Sequence, residues 1–215
     1  MMEAAEAKTA SEQTRARLLD SAREVFSQRG FQGATVREIC RRAEANGAAV
    51  NYHFGSKDGL LAEALNFSPL TALQKANANE CPTIRLRLFI RDFMLMLLDE
   101  KNPSSQCRIM ARELADPTPA LDKIVREAIA PLHEFLGMLV REILDDSGGG
   151  EKVGAAELRR CVHSILGQCL FYRHSHPVLH RLHPALRYDH KEIETIAEHI
   201  VEFSLAGIKH LAKNR

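Results

Sequence analysis

"TVREICRRAEANGAAVNYHFGSKDGL", residues 35 to 60, decides how the rest of the chain is read. Thr35 followed three residues later by Glu38 is the capping-box pattern, in which hydroxyl and carboxylate satisfy two orphan amides at a helix start. Ile39 and Ala43 keep one apolar face, and Arg37, Arg41 and Arg42 are expected to point outward. After a tight turn at Glu44 to Asn46, Asn46 caps a very short helix through His53, and Ser56 caps another that begins at Lys57. A helix as short as 48 to 53 persists only where neighbours pack it. A helix-turn-helix justifies presenting one: its first helix braces on DNA backbone and its second lies in the major groove, with N-terminal residues at base edges. Gly47, Ala48 and Ala49 are small enough for close approach, and the alanine methyls can touch thymine methyls. Asn51, Tyr52 and His53 carry the polar groups, and Phe54 is expected in the core. Lys57 opposes the dipole of its own helix, but a lysine at a helix N-terminus is a good phosphate site.

Working outward, residues 1 to 10 lack apolar rhythm and are expected to be a disordered tail. A first helix is expected from Ser11 to Arg29, burying Leu18, Leu19, Ala22, Val25 and Phe26, with Gly30 as its stop. From Thr14 to Lys57 eight cations (Arg15, Arg17, Arg23, Arg29, Arg37, Arg41, Arg42, Lys57) face four anions (Asp20, Glu24, Glu38, Glu44). A chain whose net charge is only +1 therefore has a basic end, and a uniformly basic binder or acidic tail is excluded.

The remaining segments show helical spacing with hardly any alternation, so the chain reads as all-α. One helix is expected from Lys57 to about Ala76 as the link between two parts, domains being placed at 11–56 and 57–215. Residues 83–101 are apolar almost all round, 104–114 follow Pro103, and 119–144 carry Pro131, where a kink is expected. "DDSGGGEK", residues 145 to 152, is a loop; two last helices, 154–175 and 190–213, flank "HSHPVLHRLHP", read as another loop. The last helix carries Ile193, Ile196, Ala197, Ile200, Val201, Ser204, Ile208 and Leu211 in a stripe wider than one neighbour needs, which suits pairing with a symmetry mate.

Five cysteines without a C-x-x-C pair suit a reducing compartment and read as mostly buried small apolar residues. No leader pattern or membrane span is legible, so a soluble, cytoplasmic protein is expected. His174, His176, His180 and His183 are the best metal candidates, but Pro177 and Pro184 make a solvated loop or pocket rim the plainer reading, and no metal or cofactor is expected. Glu-x-x-His pairs, G-x-S-x-G, phosphate-binding glycine loops and H-E-x-x-H are all missing, so no catalytic residue is nominated. Met94, Met96, Met110 and Met138 read as core filler or as an adaptable pocket. Phe67, Phe93, Met94, Met110, Phe135, Phe171, Tyr172 and His174 are the candidate lining for an apolar or amphipathic ligand.

"TRARLLDSAREVFSQRGFQGATVREICRRAEANGAAVNYHFGSKDGLLAEAL" resembles the N-terminal domain of TetR-family transcriptional repressors in its F-x-x-x-G-F-x-x-x-T-V run, its turn, Y-H-F and S-K-x-x-L. "NGAAVNYHFGSKDGL" with "GQCLFYRHSHPVL" resembles the CecR-like branch. The resemblance implies a three-helix helix-turn-helix domain, a C-terminal helical ligand-binding and dimerisation domain, a homodimer on double-stranded operator DNA, and release by a small-molecule effector. By position, Thr35 and Arg37 would hold phosphates, Ala48, Ala49 and Tyr52 would lie nearest the bases, and Asn51, His53 and Lys57 nearer the backbone. Glu44 stands where the family has a turn glycine, Asn51 where an aromatic is frequent and Ala49 where a hydroxyl is common. Two other readings remain open: a helical enzyme or small-molecule carrier with an incidental basic head, and a helix-turn-helix activator without a ligand.

Overall fold

Leu18, Ala22, Val25 and Phe26 recur at helical spacing and are all fully buried, forming the inner face of α1 (Met2–Gly33). The computed structural model describes residues 2–65, 68–75, 77–98, 105–149 and 153–213, and among these every regular element is helical. Helix α1 begins at Met2, not at Ser11: "EAAEAK" is rich in strong helix formers, which carry the helix through the expected tail. Gly30, at φ 69° and ψ 179°, interrupts it where the stop was expected.

Contacts divide the chain into two units, Met1–Phe67 with Ser104–Glu127, and Ser68–Pro103 with Ala128–Arg215. The first contains α1, α2 (Val36–Arg42), α3 (Ala49–Phe54), α4 (Lys57–Ala64), α7 (Ser105–Ala115) and α8 (Ala120–Ile124). A boundary at residue 56 does not match this division. Leu60, Leu61 and Ala64 on α4 and Ile124 on α8 are almost completely buried, so three helices alone would leave the head's core open. Helix α4 packs on α1, α3 and α8, and α7 packs on α1.

The second unit contains α5 (Ser68–Lys75), α6 (Pro82–Leu98), α9 (Ala130–Asp146), α10 (Ala155–His174), α11 (His176–Leu182) and α12 (His190–Lys213). Of the single helix expected from Lys57 to Ala76, the described residues carry α4 and α5, and residues 66, 67 and 76 lie outside them. Near Pro131 the kink takes the form of a π-helical turn, Val125–Ile129, between α8 and α9. The segment read as a loop between the last two helices contains α11, which tolerates Pro177 because the first turn needs no internal N–H donor.

Helix α12 packs against α6, α9 and α10. Its stripe from Ile193 to Ile208 is buried within its own unit, which accounts for its width without a second copy. Of the five cysteines only Cys40 and Cys169 are buried, and burial pushes the Cys169 thiol up to about 12. Among the described residues no helix is long and apolar enough to cross a membrane.

Candidate nucleic-acid interface

The turn between α2 and α3 is built by a residue that ordinarily avoids its backbone conformation. Glu44 has φ 51°, the left-handed region, and the surrounding bonds form a Schellman motif: Ala45 N–H to Cys40 O at 2.9 Å and Glu44 N–H to Arg41 O at 3.4 Å. Asn46 Oδ1 accepts the Ala48 N–H at 2.9 Å in a turn ahead of α3; the N-cap position itself falls on Ala48, which has no side-chain cap bond, so Asn46 is not the cap expected of it. Buried Val50 and Phe54 anchor α3 from beneath.

The outer face carries the residues read as DNA contacts. Tyr52 is 80% exposed, its ring meeting His53 edge-on at 4.8 Å. Gly47, Ala48 and Asn51 are exposed, Ala49 and His53 half-buried. A Cβ added at Gly47 would meet nothing within 4 Å, so the backbone there is open to close approach.

Thr35 caps α2 through Oγ1, which accepts the Glu38 N–H at 3.2 Å. Only half of the capping box shows this way, because the Glu38 carboxylate is engaged by Arg29 at 3.0 Å and Arg42 at 3.1 Å. Arg42 also reaches Glu24 at 3.4 Å and so does not point freely outward as read from the sequence. Arg15 pairs with Glu63 and Arg23 with Asp20. Of the eight head cations, Arg17, Arg37, Arg41 and Lys57 are left without a carboxylate partner among the described residues. Exposed Arg37 and Arg41 share α2, and Lys57 opens α4.

Ser56 Oγ accepts the Gly59 N–H at 3.0 Å and caps α4 as expected. The Lys57 ammonium lies over the Phe31 ring, and burial pulls it below the ordinary lysine range against the opposing pull of Asp58. Gly59 was not singled out in the sequence: a Cβ there would lie 2.1 Å from Phe54 O. That approach sets the start of α4 directly against the end of α3. Arg17 and Arg41 were counted as charge but not nominated, and charge counting alone cannot tell free from paired arginines.

The candidate ligand lining is divided between the two units. Phe93, Met94 and Phe135 are buried in the second unit, with Phe89 stacked on Phe93 at 5.5 Å and tilted against Phe135 at 5.7 Å. Met110 lies in the first unit, Phe171 is 52% exposed, His174 is exposed, and Phe67 lies outside the described residues. Tyr172 is half-buried against Phe171. Core aromatics and pocket aromatics share the same sequence pattern, so spacing alone does not separate them. Open space lies instead between α9 and α10, a groove of about 760 Å³ whose lining includes Met138, Leu158, Val162, His133 and Arg159. A smaller one of about 350 Å³ runs between α10 and α12 beside exposed Phe203. His176 and His180 stack at 6.3 Å, and no group of three or more metal-ligating residues occurs among the described residues.

Two family descriptions match the chain in order. Residues 18–64 match "Bacterial regulatory proteins, tetR family", and residues 82–208 match "HTH-type transcriptional dual regulator CecR, C-terminal domain". The HTH-type transcriptional dual regulator CecR of Shigella flexneri is 28% identical over 176 residues, 75% of this chain and 76% of that protein. In three dimensions the chain is similar to a transcriptional regulator from Pseudomonas aeruginosa PAO1, with TM-score 0.69, 20% identity and 93% of each chain covered. It is also similar to FadR from Bacillus subtilis in complex with stearoyl-CoA, with TM-score 0.65, 14% identity, and 89% and 98% covered.

Proposed function

This chain belongs to the TetR family of bacterial transcriptional regulators, with a CecR-type C-terminal domain, and on that premise we propose that it is a repressor that binds operator DNA as a homodimer and is released by an apolar or amphipathic small molecule. The observation that carries the DNA reading is the exposed Tyr52 on a buried-footed α3, flanked by cations of α2 and α4 that have no carboxylate partner among the described residues. Thr35, Arg37 and Lys57 serve as phosphate contacts; Ala48, Ala49 and Tyr52 approach bases; Gly47 admits the backbone; Asn51 and His53 lie beside them. Phosphate contacts fix register and base contacts carry sequence preference.

A single head offers few contacts, and two heads on half-sites one helical turn apart supply the affinity that specific binding needs. The face of α10 and α12 around exposed Phe203 and half-buried Cys161 supports the pairing of copies. The effector reading is supported by the groove between α9 and α10, whose size is that of small-molecule sites, and by FadR, which binds an amphiphile. Such a ligand acts by favouring the form with wrongly spaced heads, and it weakens DNA binding only as far as it discriminates between the two forms. The working compartment is the cytoplasm, where operator DNA is found, and no catalytic step enters the account.

A gel shift with DNA flanking the protein's own gene, at two salt concentrations, tests the reading. Specific, salt-sensitive retardation is expected, and equal binding to a scrambled duplex contradicts it. Sedimentation at micromolar concentration is expected to give a dimer, and monomer alone contradicts the symmetric reading.

A further inference from the structure

Helix α7 is drawn from chain that lies between two stretches of the second unit, yet it packs in the first against α1. Its Arg112 donates from Nη2 to the carbonyl of Gln28 at 3.2 Å. Gln28 stands two residues before the interruption at Gly30, and a break in a helix leaves the preceding carbonyls short of their regular donors. A cation beside such carbonyls is favoured by the helix dipole. Arg112 also lies against Gly30: a Cβ there would be 3.2 Å from Nη1 and 3.8 Å from Cδ. The next residue, Phe31, stacks on Phe26 at 6.0 Å and receives the Lys57 ammonium 4.2 Å from its ring centroid.

We propose that Arg112 is a positioning residue for the phosphate contact of Lys57, acting through the Gly30–Phe31 turn. Arg112 is exposed, so its part is not that of core filler. The end of α7 is itself held: the buried Glu113 carboxylate accepts both the N–H and the hydroxyl of Thr118 at 2.8 Å, and Thr118 Oγ1 accepts the Ala120 N–H at 3.2 Å. Arg112 therefore projects from a fixed base. A cavity of about 260 Å³ bordered by Phe26, Phe31, Leu61 and Arg112 leaves the turn room to shift when the guanidinium releases Gln28. Both ends of the α7–α8 segment continue in sequence into the second unit.

The inference rests on Lys57 as a phosphate contact, and a double-mutant cycle separates the two claims. The full-length parent, Arg112→Ala, Lys57→Ala and the double variant are titrated by fluorescence anisotropy with a duplex the parent selects from random sequence. Arg112→Ala is expected to weaken binding about threefold or more, a size usual for coupling residues, with unchanged helicity. On the Lys57→Ala background that loss is expected to vanish, and Arg112→Lys is expected to restore part of it. Equal losses on both backgrounds, or no loss from Arg112→Ala, overturn the inference while leaving Lys57 in place. If Lys57→Ala binds like the parent, the phosphate reading falls first and the inference with it. Should Arg112→Ala lower the melting temperature, Arg112→Gln, which keeps the stem, takes its place in the cycle with the same expectations.

Discussion

Lys57 Nζ lies 4.2 Å from the centroid of the Phe31 ring, so the first cation of α4 is held by the residue that follows the break in α1. It has no carboxylate partner among the described residues, and its charge is available to an external anion. Replacing it with alanine is expected to weaken binding similarly on all duplexes and to reduce the salt slope by about one unit. Anisotropy titrations across salt concentrations read this; an unchanged slope places the phosphate contact elsewhere.

Glu44 holds a left-handed conformation that costs an L residue roughly 1–2 kcal/mol and a glycine almost nothing. Part of that gain is offset by the larger chain entropy of glycine in the unfolded state. Glu44→Gly is therefore expected to stabilise by about 0.5–1 kcal/mol, raising the melting temperature by roughly 1–4 °C. Glu44→Ala removes the same carboxylate without relieving the backbone, and it serves as the control. If both variants melt alike, the turn is not the source.

Gly59 presents the opposite balance. Alanine is the better helix former by about 1 kcal/mol, but its Cβ would stand 2.1 Å from Phe54 O, a backbone atom that cannot swing away. Overpacking of this kind costs about 1–3 kcal/mol, so Gly59→Ala is expected to lower the melting temperature and to weaken operator binding by displacing α4 from α3. A melting temperature at or above that of the parent contradicts the close approach.

His133 on α9 is pushed below its ordinary value by burial first, then by His163 and Arg159, with Glu134 opposing. The fold thus prefers the neutral imidazole, and the unfolded chain binds more protons as pH falls. This contribution is present above about pH 6.5 and is lost as pH drops through that value toward the lowered one. Melting curves from pH 7.5 to 5.5 are expected to fall less steeply for His133→Gln than for the parent. Parallel curves dismiss the site as a source of acid sensitivity.

Much of the head was legible because its signals are local. Ser56 caps α4 and Thr35 caps α2 through bonds three residues long, and Gly30 marks the break in α1. What escaped depends on residues far apart in the chain. Glu38 fits a capping box by spacing, but Arg29, from the preceding helix, shares its carboxylate with neighbouring Arg42; Arg112 meets Gln28 across 84 positions. Phe93 and Phe135 have the spacing of core and of pocket lining alike, and only packing shows them closed around Phe89. Likewise the α12 stripe suits a partner copy by its width, whereas α6, α9 and α10 of the same unit pack against this helix.

The central claim is that α3 reads base sequence through its exposed face, with Tyr52 foremost. It is tested by comparing the duplexes that the parent and Tyr52→Ala each enrich from random sequence, with both proteins first shown to melt alike, as an exposed side chain allows. The parent is expected to bind its enriched duplex at least 10³-fold more tightly than a scrambled one, within the usual range for specific readers. Tyr52→Ala is expected to enrich a different or degenerate set while keeping the parent's salt slope. Enrichment of the same sequences by both proteins, or no preference by the parent, contradicts the account.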